Sequence, residues 1–232
     1  MTEAEWLTCV DPKAMLGFLK GRTSDRKLRL FAVACCYRIV DLLTPESRAA
    51  LEVAHRFAEG MASGLERKLA RASALSAGWV IEGRVKHARG PAKASVCDAL
   101  RRRAYEAAVC TESRSGVASR QWAWNQLHYD TGVAWNAERS AMVKAAECEA
   151  HATLLRDIFG NPFHAVRGSW LAPAVASMAQ RIYDDAAFGR MPELAEALEA
   201  AGCIDADVLE HCRRPDPHVR GCWVVDLVLG KE

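Results

Sequence analysis

DRKLRLFAVACCYRIVDLL, residues 25–43, decides the fold. Its apolar positions Leu28, Phe31, Ala32, Cys35, Ile39 and Leu42 recur at intervals of three and four, the period of one helix face. Val33, Cys36, Val40 and Leu43 widen that face until little of the circumference is polar. A helix that is apolar nearly all round is surrounded by other elements. The segment therefore reads as the central helix of an N-terminal half, capped by Ser24 and running from Asp25 to Leu43. Its length and its charges, Arg29, Arg38 and Asp41, exclude a membrane span.

Working outward, helix signals fill most of the chain. Thr2-Glu3-Ala4-Glu5 fits a capping box. Asp11-Pro12 joins an N-cap to a first-turn proline and opens a helix to Leu19, which Gly21 ends. Thr44-Pro45-Glu46 opens another to about Glu59, stopped by Gly60. Residues 64–88 have helical composition, weakened at Gly78 and Gly83, and Gly90-Pro91 predicts a firm break. A helix over 95–110, a polar connector over 111–116 and a helical stretch over 118–159, interrupted near 130–132, come next. Gly160-Asn161-Pro162 terminates that stretch, and 163–169 read as loop. Helices over 170–183, 192–201 and from an Asp205 cap to Cys212 follow, with a turn at 213–217. The run 222–229 suits a helix through Trp223, Val224, Leu227 and Val228, while its β-branched content also allows a strand. Helix is favoured because nothing else in the chain offers a strand partner. The expected fold is all-α, a compact multi-helix bundle in a single domain over 1–232, or two closely docked lobes, about 1–110 and about 118–232. Phe163, Trp170 and Trp223 are its expected buried anchors.

Half of the 232 residues are apolar and 26% are charged, which supplies a sizeable core and excludes disorder. The start, Met-Thr-Glu-Ala-Glu-Trp, lacks the basic flank and apolar stretch of a signal peptide. The nine cysteines are then expected as reduced thiols of a cytoplasmic protein, with no membrane partner. The net charge of +2 conceals a segregation. Residues 67–103 hold ten Lys or Arg against Glu82 and Asp98, and residues 182–212 hold eight acids against Arg190. Such asymmetry can mark a partner surface, although solvated helix faces produce it too.

The basic segment and the tryptophans beside it define the first candidate site: Arg84, Arg101, Arg102, Arg103, Trp122, Trp124 and Trp135. On one continuous helix Trp124, His128, Thr131, Trp135 and Met142 share a face. The leading expectation is a non-catalytic interaction or regulatory module that contacts a protein. The alternative is a nucleic-acid-binding protein, with phosphates on the arginines of 67–103 and bases stacked on tryptophan. The plain reading of the aromatic stripe is a docking face for a neighbouring helix. A second alternative is a small metal-binding protein using His211, Cys212, His218 and Cys222. Against it, residues 211 and 212 diverge by about 100° on a helix, no Cys-x-x-Cys pair anchors the set, and buried cysteines pack as small hydrophobes. Cys148 and His151 share a helix face and would need a further ligand such as His55 or His128. No nucleophile elbow, zinc-protease helix, phosphate loop or dinucleotide fingerprint occurs, so no catalytic residue and no cofactor is assigned.

Four stretches, residues 1–39 beginning MTEAEWL, 154–163 (LLRDIFGNPF), 181–203 (RIYDDAAFGRMPELAEALEAAGC) and 211–232, which contains HVRGCWVVDLVLGK, cover about two fifths of the chain. They resemble a bacterial protein family that occurs as many paralogues per genome. The middle, roughly 60–150, resembles it only in being rich in Ala, Trp and Arg. The resemblance implies a common scaffold around a divergent centre, and it brings no activity, cofactor or catalytic residue.

Overall fold

The computed structural model describes residues 1–76, 86–131, 136–164 and 172–231, with backbone only at 86–87 and 124–131. Among the described residues all regular structure is helical. In order these are α1 (Glu3–Thr8), α2 (Pro12–Leu19), α3 (Asp25–Tyr37), α4 (Pro45–Ala58), α5 (Gly64–Ser76), α6 (Lys86–Ala99), α7 (Ala104–Thr131), α8 (Ala137–Phe159), α9 (Pro173–Asp184), α10 (Met191–Ala200), α11 (Ala206–Arg213) and α12 (Trp223–Leu229), with 3-10 turns at Val40–Leu42 and Phe188–Arg190. The fold is all-α. The chain divides into two compact units, Cys9–Ala152 and Met1–Thr8 together with Thr153–Glu232.

This division differs from the one expected. The connector placed at 111–116 lies in the middle of α7. Its polar residues need no loop, because Thr111 donates to the Ser95 carbonyl (3.3 Å) and Ser115 to the Glu112 carbonyl (3.1 Å). The break expected at Gly90-Pro91 is also absent, since α6 runs through Pro91. A proline costs a helix the bond its missing N–H would have made.

In the unit Cys9–Ala152, every residue from Leu28 to Cys36 of α3 is buried. The helix is central, as its composition predicts, but it stops at Tyr37 rather than Leu43. The 3-10 turn that follows lets Ile39, Leu42 and Leu43 all enter the core with Leu51, Val96 and Leu100. Ser63 and Glu66 open α5 with a reciprocal capping box (2.7 and 3.1 Å).

Among the described residues of the basic segment, Arg67 is buried, Arg71, Arg89, Lys93 and Arg101 are half-buried, and Lys68, Arg102 and Arg103 are exposed. The last carbonyls of α6 and the turn after it have no helical partners, and arginines supply them. Arg67 donates to Leu100 O, Arg71 to Cys97 O (3.1 Å), and Arg29 to Arg101 O (2.9 Å) and Arg102 O. Arg29 and Arg67 also lie over the Phe57 ring, with 4.7 and 5.4 Å to its centroid. Lys93 donates to the Leu75 carbonyl near the end of α5 (2.7 Å).

In the other unit, Thr2 and Glu5 form the predicted capping box (2.7 and 3.3 Å). Trp6 of α1 is fully buried, and its indole N–H donates to Gly160 O (2.9 Å). Gly160 follows α8 at φ +61°, and a Cβ there would stand 2.9 Å from the Trp223 ring. Only glycine satisfies both the left-handed backbone and that approach. The ambiguous run 222–229 is helical, as α12, and ends on Gly230 at φ +63°. Of the expected anchors, Trp223 packs half-buried against the core, Trp170 lies outside the described residues, and Phe163 is 40% exposed. Phe163 sits in a turn closed by its own N–H on Asn161 Oδ1 (3.1 Å), beyond the helix that would have faced it inward. Trp6 takes the anchoring role.

Candidate metal centre

In the unit of Met1–Thr8 and Thr153–Glu232 four donor atoms converge: those of Asp157, His211, His218 and Cys222 all lie within 4.8 Å of one another. Asp157 Oδ1 is 2.6 Å from His218 Nδ1 and 3.2 Å from His211 Nε2. Cys222 Sγ is 3.2 Å from His211 Nε2 and 3.9 Å from His218 Nδ1. Donors bound to zinc at about 2.0–2.3 Å in a tetrahedron stand roughly 3.3–3.7 Å apart. The observed separations bracket that spacing.

Local sequence builds the cluster. Asp157 occupies the last turns of α8 among the buried Leu154, Leu155 and Ile158, an acid on the apolar face. Asp205 caps α11 through Val208 N (3.2 Å), and His211 lies in that helix's last turn. The segment His218-Val219-Arg220-Gly221-Cys222 does the rest. Val219 N–H holds Asp157 Oδ2 (2.9 Å), which leaves Oδ1 for the cluster. Arg220 donates to the carbonyls of Tyr183 (3.1 Å) and Asp184 (3.0 Å) at the end of α9, and so pins the loop. Gly221, at φ +95°, reverses the chain, and Cys222 is delivered as the N-cap of α12. The His211 ring packs against Trp223, with centroids 5.2 Å apart.

Electrostatics follow from this packing. Burial works to raise the Asp157 carboxyl, but hydrogen bonds from His211 and His218 outweigh it and hold the group below its ordinary range. Burial pushes the Cys222 thiol well above its usual value and lowers His211. A buried neutral thiol is a poor nucleophile.

The arrangement is not a Cys-His-Asp triad. A triad histidine offers one ring nitrogen to the nucleophile and the other to the orienting carboxylate. Here His211 presents Nε2 to both Cys222 and Asp157, and His218 presents Nδ1 to both. One nitrogen cannot relay a proton between two partners on the same side. Two imidazoles aimed at one point beside a thiol and a carboxylate are a group that could hold a metal ion.

Of the residues expected to bind metal, His211, His218 and Cys222 come together and Cys212 does not. Adjacent to His211, it points away into the core with Leu198, Cys203 and Val208, and burial pushes its thiol up to about 12. Asp157 takes its place. A motif search limited to Cys and His overlooks it, yet an acid between Leu154, Leu155 and Ile158 was the available signal.

Beside the partner surface expected in the middle third, Asp98 is buried and receives both Arg101 (2.7 Å) and Arg114. Arg101 is therefore half-buried and paired. Arg102 and Arg103 are exposed, the latter paired with Glu106 (3.0 Å). Trp122 is 41% exposed and lines a cleft of about 350 Å³ with Arg38, Leu42, Ser119 and Val143. Arg84, Trp135 and the Trp124 side chain lie outside the described residues.

Sequence reasoning paired His151 with Cys148, and the structure gives His151 other neighbours. Its Nδ1 lies 3.5 Å from Glu112 and its Nε2 3.3 Å from Ser115, with Glu147 beyond at 3.9 Å. Burial opposes a charge there, but the Cys35 sulfur and the Glu112 and Glu147 carboxylates push the ring up to about 10. Opposite nitrogens face a hydroxyl and a carboxylate, as a Ser-His-Glu triad requires. Ser115, however, is sealed within α7 and spends its proton on Glu112 O. Glu147 also holds Arg38 (2.8 Å). The cluster is a buried ionic network.

No protein-family model, curated protein or solved structure matches the chain.

Proposed function

We propose that this is a metal-binding protein that holds one divalent transition ion, zinc by its donor set, on Asp157 Oδ1, His211 Nε2, His218 Nδ1 and Cys222 Sγ. The convergence of four donors from α8, α11, the following loop and the start of α12 carries the reading. Two imidazoles, a thiolate and a carboxylate suit the borderline character of zinc better than the all-oxygen shells of calcium or magnesium. The ion would tie the 214–222 loop to α8, with Val219 N–H and the Trp223 ring as outer supports. No helix among the described residues is long and apolar enough to cross a membrane.

The test is metal analysis of protein purified without added metal, followed by cobalt titration of the stripped chain. One equivalent is expected, with the visible bands of tetrahedral cobalt and a thiolate charge-transfer band that Cys222→Ser abolishes. Metal content below about 0.2 per chain together with no cobalt binding would overturn the proposal, because structural sites bind tightly enough to survive purification.

A protein-binding role for the Cys9–Ala152 unit keeps one favourable observation, the exposed Trp122 beside its cleft.

A further inference from the structure

In the Cys9–Ala152 unit a cavity of about 460 Å³ is walled by α7, α8 and the start of α2. Glu112, Gly116 and Arg120 of α7 line it at intervals of four, on one helix face. Lys144, Cys148 and His151 of α8 line it opposite Asp11 and Lys13. The volume falls within the roughly 300–1,000 Å³ of small-molecule sites.

Two features of α7 are unfavourable in a helix that only packs. Glu112 is 5% exposed, and its Oε1 faces His151 Nδ1 (3.5 Å), but its Oε2 has no hydrogen-bond partner among the described residues. A buried acceptor without a donor is costly. Gly116 is buried in the helix interior, where glycine is a poor helix former. Its missing Cβ makes room, since one built there would stand 3.6 Å from Arg120 Nη1 and 4.0 Å from His151 Cε1. The Arg120 guanidinium is thereby placed beside Gly116, one turn back along α7 toward Glu112.

The charges on the wall are unevenly matched. Arg38 holds Glu147 (2.8 Å), and His151 faces Glu112. Asp11 Oδ1 caps α2 through Lys13 N (2.9 Å). The side chains of Lys13, Arg120 and Lys144 have no hydrogen bond or ion pair among the described residues. With the paired acids set aside, these three cations face one carboxylate, Asp11. Their proximity is felt at the Cys148 thiol. Burial raises it, Glu112 and Asp11 add to the rise, and Lys144 and Arg120 oppose it.

We infer that this cavity binds a small carboxylate that carries a hydrogen-bond donor on the neighbouring carbon, a hydroxy acid or an amino acid. The forked donors of Arg120 match the paired carboxylate oxygens, and the ligand's own donor satisfies Glu112 Oε2. Lys13 and Lys144, both exposed, add positive charge at the rim. The site belongs to the unit without the metal donors and does not depend on the metal reading.

L-Alanine, L-lactate and propionate share one skeleton and differ at Cα by an amino group, a hydroxyl or hydrogen only. Isotope-labelled full-length protein is titrated with each at constant ionic strength, and the Gly116 amide and Arg120 Nε–H resonances are followed by NMR. Saturable shifts of both are expected with alanine or lactate, at an affinity about tenfold or more above that of propionate, which cannot donate to Glu112. Response to lactate assigns a hydroxy acid and response to alanine an amino acid; either supports the inference. Arg120→Gln should weaken binding about tenfold or more, and Arg120→Lys should restore part of it. Gly116→Ala meets its neighbours at ordinary contact distance, so it should keep the far-UV circular dichroism of the wild type. It should still weaken binding, because its methyl fills the space beside Arg120. Propionate bound as tightly as the other two, or no saturable shift with any of the three, overturns the inference. Unchanged affinity in Arg120→Gln or in Gly116→Ala overturns the assignment to this cavity.

Discussion

Replacing Gly160 by alanine tests the packing that supports the candidate centre, and Gly230 supplies its control. Both residues have positive φ, +61° and +63°, and both belong to the unit of Met1–Thr8 and Thr153–Glu232. The left-handed conformation costs an alanine roughly 1–2 kcal/mol. The stiffer unfolded chain returns roughly 0.4–1 kcal/mol of that. Nothing lies within 4 Å of a Cβ built at Gly230, so Gly230→Ala should lose only the balance, about 1 kcal/mol. At Gly160 the Cβ would meet three Trp223 ring atoms at 2.9–3.2 Å. Those atoms are at the root of the ring, which is itself packed on His211, so they cannot swing aside. Overpacking of this kind adds about 1–3 kcal/mol, which brings Gly160→Ala to roughly 2–4 kcal/mol. Urea unfolding followed by far-UV circular dichroism, with chelator present to remove metal linkage, reads both values. Trp223→Leu in the Gly160→Ala background should then recover part of the loss. Equal costs at positions 160 and 230 would refute the account of Gly160.

Three further outcomes are expected. Arg29→Met strands the Arg101 and Arg102 carbonyls that the guanidinium serves, and should cost about 1–3 kcal/mol by chemical denaturation. A histidine whose folded pKa exceeds its unfolded value stabilises fully below the unfolded value and ceases to do so as pH climbs through the folded one. His151 should thus support the Cys9–Ala152 unit below about pH 6.5 and lose that contribution toward about pH 10, a slope that melting curves of His151→Gln should lack. Free zinc at 100-fold its Kd should stabilise the wild type by about 2.7 kcal/mol over the chelated protein, and Cys222→Ser should show little of this gain.

The caps were the most legible part of the sequence. Asp11, Ser24, Thr44 and Asp205 each accept a backbone N–H in the manner their positions predict. Such signals are local, and local chemistry is what a linear reading resolves. The misreadings arose where distant contacts overrode local preference. Thr111 and Ser115 suggested a connector, yet their hydroxyls are satisfied inside α7. The arginines of 67–103 suggested an outward face, yet the end of α6 and the turn after it take the guanidinium groups of Arg67 and Arg71. Three of the four candidate ligands were visible as a sequence cluster, because α11, the loop and α12 are consecutive. Asp157 was hidden because its partner His218 lies 61 positions further along. Cys212 was a false member because adjacency in sequence is divergence on a helix.

The path of the chain has one more implication. The first eight residues belong with Thr153–Glu232, so the Cys9–Ala152 unit is nested inside the other as an insertion. A ribosome would release the indole of Trp6 long before the Gly160 carbonyl it bonds to exists. The outer unit can therefore close only after the inner one has been synthesised. Its terminal segment, expressed by itself, would lack the Trp6 anchor, and a separate peptide of residues 1–8 should supply it.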